Sequence, residues 1–409
     1  MTDASKSSLG WLDTSEHERR SVLELVSALN EPGTLDELGI GSIRDTIADS
    51  LFPGTSTIQT RARYFLFIPW ILQMVERSST RYVEDRAQRL QLRLCHALDK
   101  THGPNEGVIG RESGAKLQSW PLSIYWLGLE RWGIRRHPGS LASYFESLRR
   151  PSSWLLLGRA LEEPVEGRRD EAADGVLGYW AAIPDVPLDF PDDASFALNA
   201  EEGHFLRERV VLTHPDSFLA HILQTSNAGD SDAAHYPWDH SAAASASASV
   251  RDWLHDARLF SLVHRGGVLL FNLMLARELE NADQFDEFST ELAEWSESIA
   301  ASRHDLERWD RQAMWARLRS ANPRLRVPTR TFADRWYELA VAQAGQAVGE
   351  LPEARRLIRD REHALKGPRA RLTHAEARER RQGYPTSARL EFRRTQVQRI
   401  TADILEALE

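Results

Sequence analysis

Cysteine, lysine and the common catalytic signatures are what this 409-residue chain has least of. The single cysteine, Cys95, excludes an internal disulfide framework. Lysine occurs only at positions 6, 100, 116 and 366, against 47 arginines. None of the four follows glycine in a phosphate loop, so the Walker A motif is excluded. None stands two residues after a histidine or a glutamate, which excludes the HxK pair of phospholipase-D-type nucleases and the ExK of restriction-type nucleases. HExxH, CxxC, GxSxG and GxGxxG are also missing. The longest strongly apolar run, Tyr64 to Val75, falls short of the roughly 20 residues of a membrane span and contains Pro69, so no membrane partner is expected. The polar start MTDASKSS has no basic-then-apolar pattern, which leads us to expect a cytoplasmic protein.

What is present describes an ordinary globular chain, with 42% apolar and 27% charged residues, long enough for two or three domains. The preference for arginine over lysine reads first as GC-rich coding, since arginine abundance alone is not a binding site. The net charge is −9, yet residues 355–399 hold 14 basic residues against 5 acidic ones. Such a segment attracts polyanions, whereas the acidic remainder repels them.

Helix signals dominate. Ser15 with Glu18 forms a capping box that opens a helix to about Leu29, and Thr34 with Glu37 and Ser42 with Asp45 start two short ones. Val83, Ala87, Leu90, Leu94 and Leu98 line one face of a helix from about Arg81, with Arg86, Arg89 and Arg93 opposite. Asn199 with Glu202 caps another helix, and Phe285, Phe288, Leu292, Trp295 and Ile299 form a heptad-like stripe. Alternating β-branched runs are scarce, so the expected fold class is mainly α and multi-helical. The SAAASASAS stretch (241–249) reads as a linker or exposed loop. The expected organisation is an N-terminal helical domain (1–105), a possible helix-turn-helix region (106–190), a central helical domain (191–350) and a basic C-terminal helical region (351–409).

Residues 53–70, PGTSTIQTRARYFLFIPW, join a Pro-Gly turn to three hydroxyls, two arginines and an aromatic wedge. With Thr55 or Ser56 as N-cap, the helix that follows presents free amides beside Ser56 and Thr57, and Arg61 and Arg63 add charge-assisted donors for phosphate oxygens. The plainer reading pairs these arginines with Asp45 or Asp49. The run GSIRDTIADSLFPGTSTIQTRARYFLFIPWI (41–71), together with SIYWLGLERWGI (123–134), ARLFSLV and LLFNLMLA (257–276) and KGPRARL (366–372), resembles an uncharacterised bacterial family, a numbered domain of unknown function, over the whole chain. The family carries no established catalytic residues. The resemblance implies a companion of helicases and nucleases in anti-phage defence loci.

Residues 107–137 have helix-turn-helix rhythm: a short helix near 111–117, a turn, and a second helix begun by Ser119 and Pro121 and ended by Gly133. In a winged-helix reading Arg131, Arg135 and Arg136 lie near the DNA backbone, whereas Tyr125, Trp126, Leu129 and Trp132 read as core. At the C-terminus, 389–408 forms a helix with Phe392, Val397, Ile400, Ile404 and Leu405 inward and Arg389, Arg393 and Arg394 outward. His204, His214, His221, His235, His240 and His255, interspersed with Asp216, Asp232 and Asp239, suggest a metal site, as does the His304-Asp305 pair. No two of the clustered histidines share the three- or four-residue spacing of a helical ligand pair.

The sequence therefore favours a non-catalytic subunit with no metal and no cofactor, binding nucleic acid, DNA ahead of RNA, and helicase or nuclease partners of a defence or DNA-processing system. A metal-dependent hydrolase or nuclease with a His/Asp site is the alternative.

Overall fold

The computed structural model describes residues 36–78, 82–111, 120–149, 178–231, 234–342 and 348–409. These are mainly α-helical, as expected, and no strand occurs among them. The capping signals at Ser15 and Thr34 and the first helix of the supposed helix-turn-helix fall wholly or largely outside the described residues. The chain divides into two compact units, one within Tyr64–Ser195 and the other combining 36–63 with Phe196–Glu409.

The first helix, α1 (Gly41–Leu51), belongs to the second unit; the first unit holds α2 (Tyr64–Glu76), α3 (Val83–Thr101), α4 (Pro121–Arg131) and α5 (Leu141–Arg149). α2 is apolar on every side and runs straight through Pro69, so the proline does not end the run as its sequence position suggested. Its side chains from Tyr64 to Leu72 are all buried, and an all-apolar helix needs cover on every face. Phe65 stacks on Trp132 at 3.8 Å, and Phe67 and Trp70 pack on Phe190 of the 184–193 loop. The α3 stripe from Val83 to Leu98 is buried, and Gln91 of that helix accepts the Leu122 amide at the start of α4. Glu76 receives Tyr144 Oη and Trp180 Nε1, and burial raises its carboxyl above the usual range.

The second unit is built on α8 (Ala248–Glu278), a 31-residue helix. It is long and apolar enough to cross a membrane, but 89% of its most apolar window is buried within the protein, as in a core helix. α9 (Ala282–Ala301) packs against it through Phe288, Leu292, Trp295 and Ile299. Trp295 donates to Leu262 O, and its ring lies so close to Gly266 that a Cβ there would meet it at 2.2 Å. The remaining helices are α6 (Ala200–Thr213), α7 (Phe218–Thr225), α10 (Arg303–Arg308), α11 (Arg311–Ala321), α12 (Val327–Ala342), α13 (Pro352–Lys366), α14 (Ala375–Arg380) and α15 (Arg394–Glu406). The Asn199–Glu202 capping box forms as expected. Ser42 does not cap α1; Asp36 does, accepting the Ile40 and Gly41 amides at 2.8 and 2.5 Å. Part of 241–249 also departs from an exposed loop: Ala242 and Ala246 are buried, and Ser247 caps α8.

Residues 385–389 run back along α8. Asn272 donates to Pro385 O, Arg265 to Ser387 O, and Arg389 to Arg258 O and toward Ser261 Oγ. This strap brings the chain to the start of α15.

Candidate anion-binding surface

The signature stretch does not begin a helix at Thr55. Thr55 Oγ1 donates to Phe52 O, Ser56 N to the Gln59 side chain, and Gln59 Nε2 back to Gly54 O, so 54–59 closes as a turn. Thr55, Ser56 and Gln59 are buried while Thr57 is exposed, and the helix starts only at Tyr64. The Thr55 and Ser56 amides are thus engaged internally, by Phe52 O and the Gln59 side chain, and no helix start presents them.

The two signature arginines are paired, though not with Asp45 or Asp49. Arg61 grips Asp403 of α15 through Nε at 3.0 Å and Nη2 at 2.6 Å, while the Ala62 amide reaches the same carboxylate at 2.8 Å. Burial raises the Asp403 carboxyl above its usual range, with Arg61 the chief opposing influence. Arg63 donates to Glu202 at 2.7 Å, the residue whose other oxygen completes the α6 capping box. Asp49 instead receives Arg393, which also donates to Thr55 O at 2.8 Å.

Arg393 and Arg394 are buried, contrary to the expectation that they face outward. The inward set, Phe392, Val397, Ile400, Ile404 and Leu405, is as expected. The difference lies in the start of the helix: Phe392 and Arg393 both adopt left-handed backbone, at φ 50° and 65°, before α15 begins at Arg394. That turn aims Arg393 at the signature. Left-handed non-glycine residues are uncommon and each costs about 1 kcal/mol or more; the Arg393 contacts with the half-exposed Asp49 and with Thr55 O act in the opposite direction. Arg389 is half-buried beside the stacked rings of Tyr236 and Trp238, about 5 Å from each ring centre.

Around the supposed recognition helix, Tyr125, Trp126, Leu129 and Trp132 are buried as core. Arg135 is buried too and is engaged internally: it lies over Trp126 at 4.2 Å, donates to Trp126 O and Gly139 O at 3.2 Å, and pairs with Glu130. Arg131 and Arg136 are exposed. The structure thus does not assemble Arg131, Arg135 and Arg136 into one outward row.

Among the described residues, no three His, Cys, Asp or Glu side chains converge as a metal site. Asp232 lies outside them. His240 is buried, its Nδ1 accepting the Ala242 amide, and burial with Arg394 nearby lowers its pKa to about 4. His221 contacts Ala242 O and Ser245, and Asp305 is held by Arg258 at 2.6 Å.

Much of the C-terminal positive charge is used internally. Arg361 donates to Leu38 O, Gly39 O and Thr329 Oγ1, and Arg371 to Gly383 O. The C-terminal arginines left on the surface are others: Arg356, Arg359, Arg369 and Arg399 are exposed, and Arg356 pairs with the exposed Asp360 at 3.4 Å. Sequence reasoning marked the region but not these residues, because a helical face becomes a surface only once its packing partners are known.

The described residues form a mainly helical protein in which the signature arginines Arg61 and Arg63 are held in internal ion pairs, while Arg356, Arg359, Arg369 and Arg399 of the C-terminal region stay exposed. Residues 6–407 match the family of unknown function DUF6361, and the chain belongs to that family. No curated protein and no solved structure matches it.

Proposed function

We propose that the protein is a non-catalytic, cytoplasmic nucleic-acid-binding subunit that contacts phosphates through the outward arginines of its C-terminal region. The observation that supports this is the exposure of Arg356, Arg369 and Arg399 in a segment with 14 basic and 5 acidic residues, within a chain of net charge −9. Arg369 and Arg399 have no carboxylate partner among the described residues, and Arg356 has a loose, exposed pair with Asp360, so little internal ion pairing has to be broken for phosphate to bind. The partner reading, a helicase or nuclease of an anti-phage or DNA-processing system, rests on the family resemblance; co-purification from the native host with such an enzyme supports it, and its absence there overturns it.

The test is fluorescence anisotropy with labelled single-stranded and duplex DNA across a salt series. Replacing Arg356, Arg369 and Arg399 together with Glu should weaken binding more than tenfold and flatten the log-log salt slope by about 0.7–0.9 per lost phosphate contact. Unchanged affinity in a folded triple variant overturns the proposal.

A further inference from the structure

A cavity of about 180 Å³ opens between α8, α9 and α13. Its polar lining is Arg277 and Glu278 from the end of α8, and Arg355 and Arg359, one helical turn apart on α13. Its apolar wall is Leu273, Met274 and Phe285. At roughly 30 Å³ per water, the space exceeds what one or two ordered waters fill.

The arginines here differ from those that clamp the same unit together. Arg61, Arg63, Arg317 and Arg393 each hold a carboxylate within 3 Å. Arg277 and Arg359 make no side-chain hydrogen bond or ion pair with any described residue. Arg355 is anchored through Nε on Gly349 O at 2.5 Å, and its carboxylate partner among the described residues, Glu350, is 3.4 Å away and 81% exposed. Glu278, the one acid in the lining, is engaged by Arg378 at 3.5 Å. Three guanidiniums around one cavity repel one another, and an anion that bridges them converts that repulsion into charge-assisted, forked hydrogen bonds. The Phe285 ring and the Leu273 and Met274 side chains beside it suit the apolar face of a group attached to that anion.

We infer that this cleft binds a phosphate monoester carried on a flat or apolar moiety, the chemistry shared by a free nucleotide and the 5′-phosphorylated end of a nucleic-acid strand. The strand-end source rests on the nucleic-acid reading proposed above; the free-nucleotide source does not. Phosphate engages Arg277 and Arg359, Arg355 flanks it, and the sugar or base lies against Phe285.

The experiment is calorimetric titration of the full chain with AMP, UMP, adenosine and inorganic phosphate, and with short oligonucleotides bearing a 5′-phosphate or a 5′-hydroxyl. AMP or UMP should bind where adenosine does not, and Arg277→Ala with Arg359→Ala should weaken binding at least tenfold with Tm unchanged. Phe285→Ala should weaken AMP more than inorganic phosphate. A 5′-phosphate preference of fivefold or more that disappears in the arginine variant assigns the strand end; nucleotide binding without that preference assigns the free nucleotide. The Arg356, Arg369 and Arg399 triple variant should retain AMP binding even if it loses long DNA, and wild-type protein that binds AMP but no DNA sinks the nucleic-acid reading alone. If no phosphorylated probe depends on Arg277 and Arg359, the cleft proposal is wrong.

Discussion

Arg61 and Asp403 stand 342 positions apart in sequence and meet in a forked ion pair, with the Ala62 amide completing the shell around a carboxylate whose side chain is 4% exposed. The pair joins the signature turn to α15, so the signature's arginines act on the fold before they act on any ligand.

Removing one partner of such a pair should be costly. Asp403→Asn leaves Arg61 without its counter-charge, and we expect a loss of about 3 kcal/mol, at the lower end for broken buried pairs because Arg61 is partly exposed. Urea unfolding of the variant measures it. A change below about 0.5 kcal/mol would show that solvent already compensates Arg61.

Arg393→Ala should destabilise as well, since Asp49 and Thr55 O lose their donor while Phe392 keeps its left-handed backbone. We expect a lower midpoint in denaturant melts together with unaltered DNA affinity in whatever fraction stays folded. Weakened DNA binding with full stability would return Arg393 to the binding surface.

Gly266→Ala places a methyl group 2.2 Å from the Trp295 ring, between two helices that cannot separate without exposing their apolar seam. Overpacking of this kind costs about 1–3 kcal/mol. Tryptophan fluorescence during thermal melting reads both the loss and any displacement of Trp295.

Stability should fall on mild acidification. His240 and His264 are both lowered from the usual 6.5 to about 4, each chiefly by burial. A histidine with a depressed folded pKa binds fewer protons folded than unfolded between those values, so its contribution is fully present above about 6.5 and is lost as pH falls toward 4. His240→Gln should flatten the dependence of the unfolding midpoint on pH across this window; an equally steep variant would place the dependence on other groups.

Arg135→Ala should destabilise the first unit, because Arg135 holds the carbonyls of Trp126 and Gly139 and covers the Trp126 ring. Loss of near-ultraviolet circular dichroism at lower temperature would record it. If Arg135 served DNA instead, affinity would drop and the melt would not move.

The helical class, the buried stripes on α3 and α9 and the Asn199–Glu202 capping box were legible in the sequence, because each depends on residues within a few turns of one another. The start of α2 was not: the Gln59 side chain closes a turn around Ser56 and defers the helix to Tyr64, and nothing local distinguishes that turn from an N-cap. The fate of the arginines was decided entirely by tertiary structure. A guanidinium looks the same in sequence whether it faces water or a carboxylate hundreds of residues away, and the left-handed pair at Phe392 and Arg393 reverses the direction its helical spacing implies. Helical spacing pairs Arg355 with Arg359, but Arg277 and Phe285 join them only because α8, α9 and α13 converge. Local periodicity fixes which residues avoid water; only long-range packing fixes which charges neutralise one another and which stay free for a ligand.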